Sequence, residues 1–329
     1  MDSAVRECLP SAQIVTLPLA DGGEGTLDVL ASAMDANLEE VSVADPLGRP
    51  VLARYGVAGR TAIIETAQAC GLMLLRPLER RPLETTTRGV GELLMAAREK
   101  GCTHFLVGLG GSGTCDGGAG MMSVPGLLEA MRGTTLELLC DVEAPFVGPL
   151  GAARVFGPQK GATPEEVAVL EDRLVSLARK MACETGLDVS SLPGAGAAGG
   201  LGGAMMACFG ARKESGIERV LALTGFDKAL KGADLVVTGE GRSDRQTLQG
   251  KAAYGVLRHA GSVPVALVSG RIEDPDALSA AGFHYIEEVS PRTLATKDAL
   301  KPSVARDNLF AAVTRLLRKQ ALDAGRGKA

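Results

Sequence analysis

Short apolar runs alternate along this chain with longer stretches of helical period. Strands covered by helices on both faces read as continuous apolar runs, so the pattern predicts a largely parallel sheet in an α/β fold. The runs Ile14–Leu19, Ala62–Glu65, His104–Gly108, Leu136–Cys140, Leu235–Thr238, Val263–Val268 and His284–Glu288 are the expected strands. The helical stretches are Gly89–Lys100, Thr163–Glu184, Ile217–Leu223, Lys251–Ala260 and Val304–Lys319, with Met1–Leu9 a further fragment. The start at Thr163 is the clearest. Thr163 can cap, Pro164 suits the first helical position, and Glu165 and Glu166 complement the helix dipole.

The loops after these strands carry the chemistry. D-G-G-E-G begins at Asp21 and runs into a helix expected from Thr26. Gly22 and Gly23 let backbone approach a ligand, and a helix start favours an anion. Carboxylates beside a phosphate require a cation between them, so Asp21 and Glu24 suggest bridging Mg²⁺. A plain cap with a tight turn explains the same residues. The run echoes as D-G-G-A-G at Asp116, closing the glycine-dense stretch Gly108–Gly120, where Gly110, Gly111 and Ser112 offer a second ligand-approach loop. Thr85 and Thr86 precede a helix and suit either an anion or a cap. Asp141 follows one strand and Glu240 closes another. Four acids, Asp21, Asp116, Asp141 and Glu240, are therefore expected at strand C-terminal ends, the edge where α/β sheets bind ligands. Lys160, Arg242 and Lys251 lie on glycine-flanked loops, where they would neutralise charge on a transferring phosphoryl group.

Composition changes this picture mainly by exclusion. The 329 residues suffice for two domains, and 43 glycines are about twice average usage. Net charge is −4, Trp is absent and no basic stripe occurs, which argues against nucleic acid. No run of 18 apolar residues is present, so no membrane span is expected, and the N-terminus lacks a signal-peptide pattern, leaving the cytoplasm as the expected location. Seven irregularly spaced cysteines support neither a disulfide framework nor a zinc site. The three histidines fall in no metal-ligand spacing, and Gly250–Lys251 is followed by Ala, so no P-loop exists. Two G-x-G-x-x-G matches, at Gly108 and Gly194, leave a nicotinamide-dependent oxidoreductase as a weaker alternative.

In order, L-P-L-A-D-G-G-E-G-T, T-T-T-R-G-V-G-E-L-L, G-L-G-G-S-G-T-C-D-G-G-A-G, G-P-Q-K-G-A-T-P, P-G-A-G-A-A-G-G-L-G-G and T-G-E-G-R-S-D resemble the type-1 glycerate kinases. The resemblance implies two α/β domains, one Rossmann-like and discontinuous (1–50 and 215–329), the other inserted within it (51–214). It also implies transfer of the ATP γ-phosphoryl to D-glycerate with Mg²⁺, generally giving 2-phosphoglycerate. Asp21, Asp116, Asp141, Glu240 and Lys160 would then be catalytic. Asp21, Glu24, Asp141 and Glu240 would be candidate metal ligands, with base and ligand roles unassigned among them. Gly22, Gly23, Thr85, Thr86, Gly110, Gly111, Ser112, Arg242 and Lys251 would hold substrate or phosphate. Three features differ from the family pattern. An initial strand with a D-S-F-K-G-type loop is missing, the segment between Gly120 and Cys140 is short, and Cys115 and Ala144 replace residues that are usually Asn. A truncated homologue that only binds ligand is the competing expectation.

Overall fold

The computed structural model describes residues 1–326. In chain order its main elements begin with α1 (Asp2–Cys8), α2 (Thr26–Ala33), β1 (Asn37–Ala44), β2 (Pro50–Ala58), β3 (Thr61–Glu65) and α3 (Arg88–Glu99). Next come β4 (His104–Gly108), β5 (Thr135–Leu139), α4 (Pro164–Thr185), α5 (Leu201–Phe209), β6 (Arg212–Glu214) and α6 (Gly216–Thr224). The last are β7 (Val236–Ser243), α7 (Ala252–His259), β8 (Val265–Ile272), β9 (Tyr285–Glu288) and α8 (Pro302–Arg326).

The chain divides into two compact α/β units. One is discontinuous, Met1–Leu17 with Gly225–Ala329, and the other, Pro18–Thr224, is inserted within it. The inserted unit holds a six-stranded sheet in sequential order β1 to β6, with β1–β2–β3 antiparallel and β3 to β6 parallel. The discontinuous unit holds the parallel three-stranded sheet β7–β8–β9.

The division differs from the sequence-based boundaries for physical reasons. Residues 18–50 sit in the inserted unit because β1 finds its whole ladder on β2. Residues 215–224 join it because Val220 of α6 buries against Leu27 and Leu30 of α2. The hairpin β1–β2 was missed because Glu39, Glu40 and Arg54 break any apolar run on these half-buried strands. Asp45 sets its turn, accepting from the backbone N–H of Leu47 at 2.8 Å and of Arg49 at 2.9 Å.

Conversely, the expected strand Ile14–Leu19 does not form: among the described residues it joins no ladder, and Val15 is 60% exposed. An apolar run becomes a strand only where a neighbour supplies backbone partners. The central strands behave as their composition demands, with Phe105, Leu106 and Val107 of β4 fully buried. Thr163 caps α4 as expected, its hydroxyl accepting from Glu166 N–H while Glu166 accepts from Thr163 N–H.

Beneath the glycine-rich loops lies Phe146. A Cβ added at Gly117, Gly200 or Gly203 would stand 3.1, 2.8 or 2.5 Å from its ring, so the ring packs on bare backbone. Backbone cannot collapse into a void as side chains can. Phe146→Ala is therefore expected to cost about 3–5 kcal/mol, read from the shift of the denaturation midpoint.

Candidate active site

Three loops of the inserted unit meet at the C-terminal ends of β4 and β5. Gly110 donates its N–H to Gly22 O at 2.9 Å, joining the D-G-G-E-G loop to the loop after β4. A Cβ on Gly110 would come within 2.3 Å of Gly23 Cα, and one on Gly22 within 2.1 Å of Leu139 O. Gly22 also has φ +91°, a region that disfavours side chains. The third loop is Cys140–Val142 with the start of α6, where a Cβ on Gly216 would fall 2.2 Å from Asp21 O. Asp21, Gly22, Gly23, Glu24, Gly110, Gly111 and Asp141 are thus gathered on one edge. Asp21 and Glu24 are exposed there, while Asp141 is half-buried.

The helix starts nearby are already occupied by the chain's own carboxylates. Glu65, at the end of β3 and 4% exposed, accepts from Gly25 N–H at 3.0 Å and Leu27 N–H at 3.1 Å. It therefore supplies the anion that the start of α2 was expected to find in a phosphate. Glu65 was missed as a functional residue; an acid ending an apolar strand was its only signal. Asp116 does the same for α3. Its carboxylate accepts from Thr87 N–H and Oγ1 at 2.8 and 2.9 Å, and from Gly118 and Gly120 N–H at 3.0 Å each. With four donors on it, Asp116 latches the second glycine loop to the Thr85–Thr87 segment. Thr85 is buried, and the Thr86 hydroxyl accepts from Arg88 N–H at 3.2 Å.

Lys160 lies beneath this loop, 2% exposed. Its Nζ donates to Ser112 Oγ at 2.8 Å and Thr114 O at 2.7 Å, and stands 5.9 Å from the Phe156 ring centre. Among the described residues no carboxylate pairs with it, and burial pushes its pKa below the usual lysine value. Lys160 thus holds the glycine loop from below. Asp141 is perturbed the opposite way: burial raises its pKa, opposed by Ser215 and by the N–H groups of Ile217 and Gly216, while the Asp21 charge raises it further. Its Oδ2 is buried without a hydrogen-bond partner.

The remaining candidates belong to the discontinuous unit. Glu240 lies within β7, which continues three residues beyond it, rather than closing a strand. Its Oε1 accepts from Ser243 Oγ at 2.8 Å and Thr247 Oγ1 at 2.5 Å, and its Oε2 pairs with Lys251 Nζ at 3.3 Å. Arg242 is exposed and faces Asp244 at 3.5 Å. No group of three or more His, Cys, Asp or Glu among the described residues could hold a metal ion. Neither G-x-G-x-x-G match makes a dinucleotide fold: β4 precedes the first, but a turn rather than a helix follows Gly113, and no strand leads into the second.

Replacing Lys160 tests its buried charge. A lysine with a lowered folded pKa costs stability while charged. That cost fades as pH rises from the folded value toward the ordinary 10.5. As pH rises toward 10.5 the Tm of Lys160→Met should therefore rise less, or fall more, than that of the parent chain.

Comparison with known proteins identifies the family. The model of the glycerate kinase family matches residues 1–128 and 123–320. A glycerate kinase of Bacillus subtilis (strain 168) is 39% identical over 334 residues, covering 92% of this chain and 87% of that protein. The glycerate 2-kinase of Escherichia coli (strain K12) is 38% identical over 306 residues, covering 83% of this chain and 80% of that protein. A crystal structure of a candidate glycerate kinase 2 from Salmonella typhimurium LT2 superposes with a TM-score of 0.80 at 37% identity, over 99% of this chain and 93% of that one. With the family model spanning nearly the whole chain and these relatives agreeing over most of their length, the chain belongs to the glycerate kinase family and is a kinase.

Proposed function

We propose that this kinase transfers the γ-phosphoryl group of ATP to a hydroxyl of D-glycerate, giving 2-phosphoglycerate, with Mg²⁺ as cofactor. Asp141 carries the reading. A half-buried carboxylate with a raised pKa and an orphaned Oδ2 suits a group that accepts the proton of the attacking hydroxyl. The glycines around it keep side chains away from the edge where a small hydroxy acid would rest.

The acids present suit Mg²⁺ only in company with phosphate. That ion is commonly held by one or two carboxylates plus substrate oxygens. Asp21, exposed and close enough to raise the Asp141 pKa, and Glu24 beside it would hold the ion. It would offset negative charge on the transferring group. In this reading Asp116 and Lys160 support the loops rather than touch the reacting atoms, because their polar atoms are engaged internally. Arg242 and Lys251 remain as phosphate-binding candidates, and Lys251 can exchange its bond to Glu240 for one to phosphate.

The full chain should release ADP when given D-glycerate, ATP and Mg²⁺, and the product should be 2-phosphoglycerate by ³¹P NMR. No turnover from a folded chain would overturn the assignment in favour of a ligand-binding homologue. Asp141→Asn should lower kcat by about 10²–10⁴ while leaving the glycerate KM within a few-fold. Because the base acts deprotonated and its pKa is raised, parent activity should fall with acidification at a pH above the ordinary carboxylate range. That limb should be absent from the residual activity of the variant.

A further inference from the structure

Glu65 is a buried carboxylate that the proposed phosphoryl transfer leaves unused. It ends β3 at 4% exposure, and its Oε2 accepts from Gly25 N–H at 3.0 Å and Leu27 N–H at 3.1 Å. Its other oxygen has a longer contact, 3.5 Å from Gln68 Nε2, and among the described residues no cation pairs with it. Burying a carboxylate without a cation is expensive, and only helix-start N–H groups and the α2 dipole offset that cost. An apolar side chain of similar volume would often be as stable there, so packing alone does not account for the acid.

What it holds is the acidic loop. The backbone on either side of Glu24 is fastened at three points. Gly22 O accepts from Gly110 N–H at 2.9 Å. Gly23 O accepts from Thr26 N–H at 3.2 Å and from Thr26 Oγ1 at 2.7 Å. The N–H of Gly25, directly after Glu24, goes to Glu65. The first two fastenings come from loop or helix-start groups, whereas the third reaches a strand end of the sheet.

The same strand end holds the second glycine loop. Glu65 lies opposite Gly108 in the β3–β4 ladder, and Gly108 O accepts from Thr66 N–H at 3.0 Å and Thr66 Oγ1 at 2.9 Å. Consecutive residues, Glu65 and Thr66, thus set the spacing of the two loops. We infer that Glu65 is a positioning residue. Through Gly25 and Leu27 it fixes the backbone on which Asp21 and Glu24 stand, without touching substrate or metal itself. The inference rests on the reading in which those two acids hold Mg²⁺.

Reach and charge can be separated in the full chain. Glu65→Gln keeps the length and an oxygen able to accept both N–H bonds. Glu65→Asp keeps the charge but is one methylene too short to reach both. Positioning predicts kcat within about fivefold of the parent for Glu65→Gln and about ten- to hundredfold lower for Glu65→Asp. The glycerate KM should stay within a few-fold for both, while the Mg²⁺ concentration giving half-maximal rate rises in Glu65→Asp alone. Without metal or nucleotide, amide hydrogen exchange over residues 21–27 should quicken in Glu65→Asp and stay near the parent rate in Glu65→Gln.

A folded Glu65→Asp with parent kcat and Mg²⁺ dependence overturns the inference, as does one whose loop exchanges at the parent rate. So does a Glu65→Gln as impaired as Glu65→Asp, which would assign the effect to charge instead of reach. Each variant decides by itself should the other fail to fold. Faster exchange and lower kcat in Glu65→Asp with an unchanged Mg²⁺ requirement keep the positioning role and move the metal off this loop. If the parent never phosphorylates glycerate, the acceptor assignment falls, and the exchange contrast between the variants still upholds or overturns the pinning of the loop.

Discussion

The inserted unit depends on one close approach, in which the backbone of Gly110 meets that of Gly22 and Gly23 through a single hydrogen bond. No side chain fits between them. That contact fixes the loop following β4 against the loop leading into α2, and Leu139 at the end of β5 presses on the same glycine from the other side. Asp21 and Glu24 can face solvent together because the glycines beside them have no side chains to turn outward. The glycine excess is thus spent locally, on bringing backbone to backbone where loops cross.

Around this junction the chain satisfies its own helix ends. Glu65 occupies the start of α2, Asp116 the start of α3, and Asp141 faces the start of α6. Two of these acids have their donors in full; the third keeps a buried oxygen unpaired. That difference separates the acids that hold loops from one left with an unpartnered, desolvated oxygen. Lys160 shows the same division among cations, since its ammonium is committed to Ser112 and Thr114. In the discontinuous unit Arg271, Arg292, Arg315 and Lys319 share the two carboxylates of Glu287 and Glu288, and Arg292 and Arg315 stay open to solvent. Each unit therefore carries a distinct kind of chemistry, acids and bare backbone in one, ion-paired guanidinium in the other.

Much of the fold is legible from local pattern. The buried strands β3, β4 and β5 appear as apolar runs, and α4 announces itself through Thr163, Pro164 and Glu166. Hydrophobic burial and capping are local causes, so they leave local traces. The half-exposed hairpin β1–β2 and the short, fully charged β6 leave none, because their pairing comes from a neighbour's backbone. Ile14–Leu19 makes the converse point, being apolar enough for a strand but lacking a ladder.

The sequence by itself determined that acids and glycines cluster in loops near apolar runs, and that six ordered motifs resemble one kinase family. It could not rank the acids. Asp21, Asp116 and Asp141 all follow apolar runs and carry the same side chain, yet one is exposed, one takes four donors and one is desolvated. Tertiary structure alone decides this, because burial and hydrogen-bond partners come from segments far away in sequence.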